Sequence, residues 1–332
     1  MEGDFLYNQV EAILEQYEIE INQVTKGRGA YVCDSLEGKK VLVAFQGSKE
    51  RGEFLKMFLE KLNEKGFFVE QIVENKEGKA VTEDEMTGEH FILKDYQEGT
   101  EMKTTSLEEM EQAVRLLAIF HKYTKLLAVE LEEMEKKVKK VPLYDVKNRH
   151  YRELIKVKNH IFAKHQKTEF ERIYMKHYHQ IVADAKKAIE LLGQQEPANA
   201  TNYFCHGDFN QHNVIFDGKE WNIINFESLT LSNQMGDLAN FVRKMLEKNN
   251  WDSDLGEKLI KAYHTEKQIS AEEYKVLYGL FLFPEKFWKV TNHYMNSHKA
   301  WISQRDIEKL EKVIEQETQK AKFMEKLFSF IK

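Results

Sequence analysis

The spacing of apolar residues changes period several times along the chain, and each change marks a predicted element. Val10, Ile13 and Leu14 extend a helical stripe begun by Phe5 and Leu6, with Asp4 as its N-cap and Glu and Gln on the opposite face. From Ile19 the period drops to two. It runs through Ile19, Ile21 and Gln23, across Lys26-Gly27-Arg28-Gly29 into Ala30 to Cys33, and past Glu37-Gly38 into Val41 to Phe45. Three antiparallel strands are predicted there. Phe54, Met57, Phe58 and Leu62 return to helical spacing, and runs at Phe67 to Val73 and Phe91 to Tyr96 predict two more strands around the Gly-containing turns of residues 75–88.

Beyond Glu98-Gly99 the pattern is helical. Ser106-Leu107-Glu108-Glu109 has the form of a capping box, and Met110, Val114, Leu117 and Phe120 form the stripe behind it. Residues 148–192 mix basic and apolar positions at helical spacing, and residues 302–332 predict one last amphipathic helix carrying Ile307, Leu310 and Val313. The exception is residues 201–227, where Val214 to Phe216 and Trp221 to Phe226 flank Asp217-Gly218 as a hairpin. The predicted fold is α+β, with a small lobe of five strands and a helix over 1–97 and a mainly helical lobe over 98–332.

Composition narrows the function classes. A chain of 332 residues, 42% hydrophobic, buries a large core. With 55 acidic against 49 basic residues and a net charge of -6, it is not built to grip nucleic acid by charge alone. The opening MEGDFLYNQVEAIL has no basic start or apolar core, and no apolar run approaches the ~20 residues of a membrane span, so a cytoplasmic protein without membrane insertion is expected. Cys33 and Cys205, far apart and outside any CxxC, predict packed thiols rather than a disulfide or zinc site.

The chemistry concentrates in the hairpin island. His206-Gly207-Asp208-Phe209-Asn210-Gln211-His212-Asn213 is an HxDxxxxN pattern set just before the hairpin. Phosphoryl transfer needs a carboxylate to orient the attacking hydroxyl, and an amide oxygen a few residues on to hold a metal ion on the phosphates. Asp208 and Asn213 have those types at that spacing, and His206 would brace the loop by hydrogen bonding.

With HGDFNQHN, IINFE and GDLANFV in this order, the segment from Phe204 to Val242 resembles the aminoglycoside phosphotransferase and choline kinase superfamily. More narrowly, KNRHYRELIKVKNHI, DLANFVRKMLEKNNWD and FPEKFWKVTNHYMNSHKAW resemble the CotS-type spore-coat-associated proteins of endospore-forming bacteria. The resemblance implies a bilobal protein-kinase-like fold, ATP and Mg as cofactors, and either spore coat proteins or a small hydroxyl-bearing substrate as partners. It also implies a mother-cell location with deposition on the coat. Asp237 would be the later, buttressing aspartate. Lys26 and Arg28, in a turn resembling a phosphate-covering loop, and Asp95 and Tyr96, at the end of their strand, are the remaining nucleotide-binding candidates beside Asn225 and Glu227.

Two positions depart from the superfamily pattern. Asn225 stands where a metal-binding aspartate is expected, leaving Asn213 and Asn225 as neutral metal candidates, although Mg favours anionic oxygens. Glu227, two residues on, shares a strand face with Asn225 and offers a charge. The strand lysine expected to bind the phosphates is replaced near Val43: Lys40 points to the opposite face, and Lys39 lies about 13 Å away along the strand. Losing two charge-stabilising groups costs roughly 10⁴ to 10⁶ in rate if they act independently. Two readings follow: a degenerate kinase acting in coat assembly, or a small-molecule phosphotransferase with an atypical metal site. His121, His160, His165, His177 and His179 lack a metal-ligand pattern, and Phe281, Phe283, Phe287, Trp288, Tyr294 and Trp301 read as core at helical spacing.

Overall fold

The computed structural model describes residues 9–131, 137–195, 203–297 and 304–330. Asp4, Phe5 and Leu6 of the first predicted helix, and Trp301, lie outside them. Contacts group the chain into two units, one of Met1–Met102, Phe120–Lys139 and His206–Leu231, the other of Lys103–Ile119, Lys140–Cys205 and Ser232–Lys332.

In the first unit, α1 (residues 9–14) precedes the meander β1 (Ile21–Lys26), β2 (Ala30–Ser35) and β3 (Gly38–Ala44). After α2 (Lys49–Glu64) come β4 (Ile72–Val73), β5 (Thr82–Glu83) and β6 (His90–Asp95), giving a six-stranded antiparallel sheet in the order β1-β2-β3-β6-β4, with β5 also on β6. The run 67–73 is thus paired only at its end, and β5 is an addition to the five expected strands. The pleat assigns the faces. Val10, Ile13 and Leu14 of α1 pack with Cys33, Leu42, Phe91 and Leu93. Their neighbours Val41, Val43, Ile92 and Lys94 therefore share the other face, with Val41 opposite Lys94 and Val43 opposite Ile92.

Helix α2 begins at Ser48, whose hydroxyl accepts the Arg51 N–H. Its Gly52 is a packing requirement, since an added Cβ would meet Val81 Cγ2 at 2.0 Å. At its C-terminal end Asn63 accepts the Val69 N–H at 2.9 Å and donates to the Val69 carbonyl at 3.3 Å, which fixes the backbone just before Glu70. β7 (Thr100–Glu101) pairs with β9 (Val214–Phe216), and β9 forms the expected hairpin with β10 (Trp221–Ile223).

The second unit is helical. α3 (Leu107–Glu130) starts within it, with Ser106 accepting the Glu109 N–H, but the Glu109 carboxylate turns to the Lys103 N–H rather than closing a capping box. The stretch 148–192 is a pair, α4 (Leu143–Ala163) and α5 (Glu169–Gln195), followed by β8 (Tyr203–Cys205), after which comes the HxDxxxxN loop. The helices α6 (Met235–Lys248), α7 (Ser253–Glu266), α8 (Ala271–Leu282) and α9 (Glu285–Asn296) complete the order with α10 (Gln304–Glu315) and α11 (Glu317–Phe328). The single last helix predicted from 302 is therefore two helices, parted at Gln316. Phe283 and Phe287 are core, with Trp288 and Tyr294 packed against it, alongside Leu154, Phe170 and Tyr174. Cys33 and Cys205 are buried free thiols, and burial pushes the Cys33 thiol up to about 11.

Candidate active site

The loop before β9 is held by its own polar side chains. The Asp208 N–H donates to His206 Nδ1 at 3.2 Å, so the other ring nitrogen carries the proton and donates to the Ile224 carbonyl at 3.0 Å. His206 is fully buried, with its ring 4.8 Å from that of Phe226. It spans the loop and the end of the hairpin, as a brace does. Asn210 and Asn213 each donate to the Asp208 carbonyl at 2.9 Å, and Asp208 itself is exposed. Gly207, at φ +81°, is required twice over: L side chains avoid that conformation, and a Cβ there would lie 2.1 Å from the Ser228 carbonyl oxygen.

The stretch expected to continue as a strand to Phe226 instead stops at Ile223. Asn225 adopts the left-handed conformation (φ 65°, ψ 64°), which asparagine tolerates better than most residues, and a 3-10 turn covers Phe226–Ser228. Glu227 thus reaches the site from a turn, not by strand alternation. Arg51 of α2 donates to the carbonyl of Glu227 at 2.8 Å, and Phe226 packs 5.7 Å from Phe120.

At the centre lies a lysine from an unexpected strand. Lys94 of β6 is buried, and its ammonium donates to Glu70 Oε1 at 3.0 Å, Asn225 Oδ1 at 2.8 Å and a Glu227 carboxylate oxygen. The side chains of Lys94 and Glu70 are each only 3% exposed. Glu70 Oε1 also accepts the N–H groups of Asn225 at 2.8 Å and Phe226 at 3.2 Å. One carboxylate oxygen therefore fixes both the lysine and the backbone at Asn225. Burial alone would pull the Lys94 ammonium down, but Glu70 and Glu227 outweigh it and hold its pKa above the ordinary lysine range. Burial, opposed by Lys94 and assisted by Glu227, pushes the Glu70 carboxyl up.

The lysine dictates which way the amides point. An ammonium only donates, so Asn225 must present its oxygen to Lys94 and its NH₂ to Asn213 Oδ1, at 2.8 Å. Asn213 in turn presents its NH₂ to the Asp208 carbonyl. An aspartate at 225 could not make the bond to Asn213.

This chain of polarity decides whether the residues fit a divalent cation. The side-chain oxygens of Asn213 and Asn225 already accept hydrogen bonds, and Glu227 is bound to an ammonium. A magnesium ion on the same oxygens would sit within about 4 Å of Lys94, a repulsion of about 8 kcal/mol at an effective dielectric of ~20, which Glu70 and Glu227 would offset. Among the described residues no cluster of three or more His, Cys, Asp and Glu is placed to hold a metal. As the side chains stand, a magnesium ion would have to displace the Asn225–Asn213 bond or the Lys94 ammonium to reach the oxygens of Asn213 and Asn225.

The other sequence candidates lie elsewhere on the same unit. Lys26 is exposed at the end of β1. Arg28 lies against His212, its Nη1 3.2 and 3.5 Å from the ring nitrogens, while Glu101 accepts a hydrogen bond from His212 Nδ1 at 2.5 Å. Asp95 alternates to the face away from Lys94 and pairs with Lys40 at 2.7 Å, and the Tyr96 ring lies under the Lys39 ammonium. Sequence reasoning looked for the lysine near Val43 on β3 and did not single out Lys94. Lys94 stands directly across from Val41, one strand over on the same face.

Residues 10–327 match the family described as "Spore coat putative kinase YutH". The chain belongs to the YutH family of spore coat kinase-like proteins. Spore coat protein S of Bacillus subtilis (strain 168) is similar to this YutH-family chain at 25% identity over 175 residues, half of the chain and half of that protein. The fold is similar to an aminoglycoside phosphotransferase from Alicyclobacillus acidocaldarius, with a TM-score of 0.79 at 16% identity over 97% of this chain and 96% of that one. Spectinomycin phosphotransferase APH(9)-Ia in complex with ADP and spectinomycin gives a TM-score of 0.63 at 14% identity over 95% and 98%. Amicoumacin kinase hAmiN, solved with AMP-PNP and Ca2+, gives 0.66 at 12% identity over 96% of each chain. The YutH-family chain thus has the kinase-like fold, with a small antiparallel sheet and a mainly helical remainder. No helix among the described residues is long and apolar enough to cross a membrane.

Proposed function

We propose that this YutH-family protein is a degenerate kinase that acts in spore coat assembly as a binding or scaffold component, without magnesium-dependent phosphoryl transfer. The observation that carries the proposal is Lys94. Its ammonium has three protons, and Glu70, Asn225 and Glu227 accept them, so none is left for a nucleotide phosphate. It is a fixed internal cation rather than a phosphate-binding lysine. Asn225 and Lys94 are a matched pair, one supplying a neutral oxygen where an acid is expected and the other supplying the positive charge. The role in the coat, the mother-cell location and the coat-protein partners rest on the family and on the likeness to spore coat protein S.

The second reading, a small-molecule phosphotransferase, draws on the intact loop around Asp208, with His206 and Asn213 in their bracing positions. One experiment separates the two. Purified protein is incubated with ATP and either Mg²⁺ or Mn²⁺, and release or transfer of the γ-phosphate is followed beside an Asp208→Asn variant. Wild type and variant are expected to be indistinguishable, and turnover that Asp208→Asn abolishes overturns the proposal. In thermal melts, Mn²⁺ with ATP is expected to leave the wild-type midpoint unmoved. The double variant Lys94→Met/Asn225→Asp, which removes the ammonium and restores an acid, is expected to gain a metal-dependent rise.

A further inference from the structure

We infer that the outer edge of β1 and the groove beside it bind an extended peptide segment that alternates apolar residues with lysine or arginine. The inference stands on residues separate from the Lys94 cluster and does not depend on the proposed function. β1 lies at one end of the sheet, and among the described residues no strand pairs with its other side. The register shows which backbone groups face outward there. The Gly27 N–H donates to the Ala30 carbonyl at 2.8 Å, and the pairs Lys26–Tyr31, Thr25–Val32 and Val24–Cys33 follow in order. Hydrogen-bonded and non-hydrogen-bonded pairs alternate in an antiparallel ladder, so Thr25 bonds to Val32 while Val24 and Lys26 turn their N–H and C=O groups away from β2. An edge of this kind accepts a further strand. The register shift between Ile21 and Gln23 bulges β1 at Asn22 and ends the straight edge there, so the strand that fits is short.

The second observation is the groove itself. A cavity of about 710 Å³ lies beside α1 and β1, with Leu14, Ile19, Ile21 and Val24 in its apolar lining and the exposed Glu11 and Glu15 next to them. Val24 stands opposite Cys33 and so belongs to the α1 face of the sheet, where Ile19, Ile21 and Val24 are only partly buried against the core. A strand added to β1 would set every second side chain on that face, against these residues. Charge selects the occupant. Between Gln9 and Thr25 the chain carries Glu11, Glu15, Glu18 and Glu20, all exposed, and no lysine or arginine. Lys76, the basic residue of the lining, has its ammonium on the Glu15 carbonyl at 2.7 Å. A cationic segment is therefore drawn to this edge, whereas a second copy of the chain would set two acidic rims against each other.

The test is fluorescence anisotropy of labelled Lys-Val-Lys-Val-Lys-Val, blocked at both ends, titrated with the full chain at constant ionic strength. Saturable binding is expected with a Kd below about 1 mM. Two altered peptides separate the contributions. Full N-methylation keeps the charges and removes the backbone donors, while Glu-Val-Glu-Val-Glu-Val keeps the backbone and inverts the charge; each is expected to bind about tenfold or more weakly. On the protein, Lys26→Pro removes an outward N–H without taking a bond from β2 and is expected to weaken binding about fivefold or more, while Lys26→Ala binds at least as well as wild type. Glu11→Lys/Glu15→Lys, at two exposed positions, is expected to cost about tenfold with the strand untouched. The inference is overturned if no saturable binding is seen, if the N-methylated peptide binds as its parent does, or if neither protein variant weakens binding. Sedimentation showing a dimer that Lys26→Pro dissolves would assign the edge to a second copy and overturn it equally.

Discussion

Lys94 is the residue whose loss the molecule should feel most. Truncation to methionine keeps much of the stem but leaves Glu70 buried beside two backbone N–H groups with its ammonium gone. Breaking a buried pair from one side typically costs about 3–5 kcal/mol. Urea denaturation of Lys94→Met is expected to show a loss of that size, and Lys94→Met/Glu70→Gln should recover part of it, with a coupling above about 1 kcal/mol between the two changes. A loss under about 1 kcal/mol would mean that the cluster is solvated and contributes little. At this scale the sequence was legible where the chemistry is contiguous. His206, Asp208 and Asn213 fall within eight residues, and Asn225 is conspicuous because the stretch around it is ordered by the hairpin. Lys94 and Asn225 are 131 positions apart, and no local pattern joins them. The available signal was the alternation itself: Lys94 follows Ile92 at a spacing of two, so a charge sat on an otherwise apolar face.

Among the elements, α2 and the turn after β10 set the site, and both depend on close backbone approach. Gly52→Ala is expected to destabilise by about 1–3 kcal/mol, because its methyl would overlap Val81 Cγ2, and Val81→Ala in the same chain should return most of the loss. Chemical denaturation of the two variants checks both statements. Element existence was readable from period, yet several ends were not. Trp221 to Phe226 has the alternation of a strand, but the backbone N–H groups of Asn225 and Phe226 are claimed by Glu70, which lies 155 residues upstream of Asn225. A tertiary acceptor therefore ended the strand. Likewise Ser106 caps α3 as its sequence suggests, while Glu109 finds a better use at Lys103. The apolar stripe after Gln304 is shared by two helices with different neighbours: Ile307, Leu310 and Val313 of α10 join the core of α5 and α9, Phe323 of α11 packs on Trp251 and Phe281, and Gln316 between them donates to the Glu247 carbonyl.

For the molecule as a whole, buried charge sets the limits of pH stability. Burial pushes Glu285 up, but Lys147, His150 and Arg243 outweigh it and hold the carboxyl well below its usual range. A depressed acid stabilises the fold above its unfolded pKa of about 4.3 and loses that contribution as pH falls through the folded value. Unfolding free energy measured from pH 5 to pH 3 should therefore decline more shallowly in Glu285→Gln than in wild type. Lys94 acts in the opposite direction: with a raised pKa, its contribution is complete below about pH 10.4 and disappears only as pH climbs through the folded value. The dependence of Asn225 on Lys94 also constrains descent. If Asn225 alone is replaced by aspartate, a carboxylate oxygen faces Asn213 Oδ1; if Lys94 alone is lost, Glu70 is stranded. Either first step is uphill, so the pair works as a ratchet. Chains that build the same cluster are expected to keep both residues or exchange both.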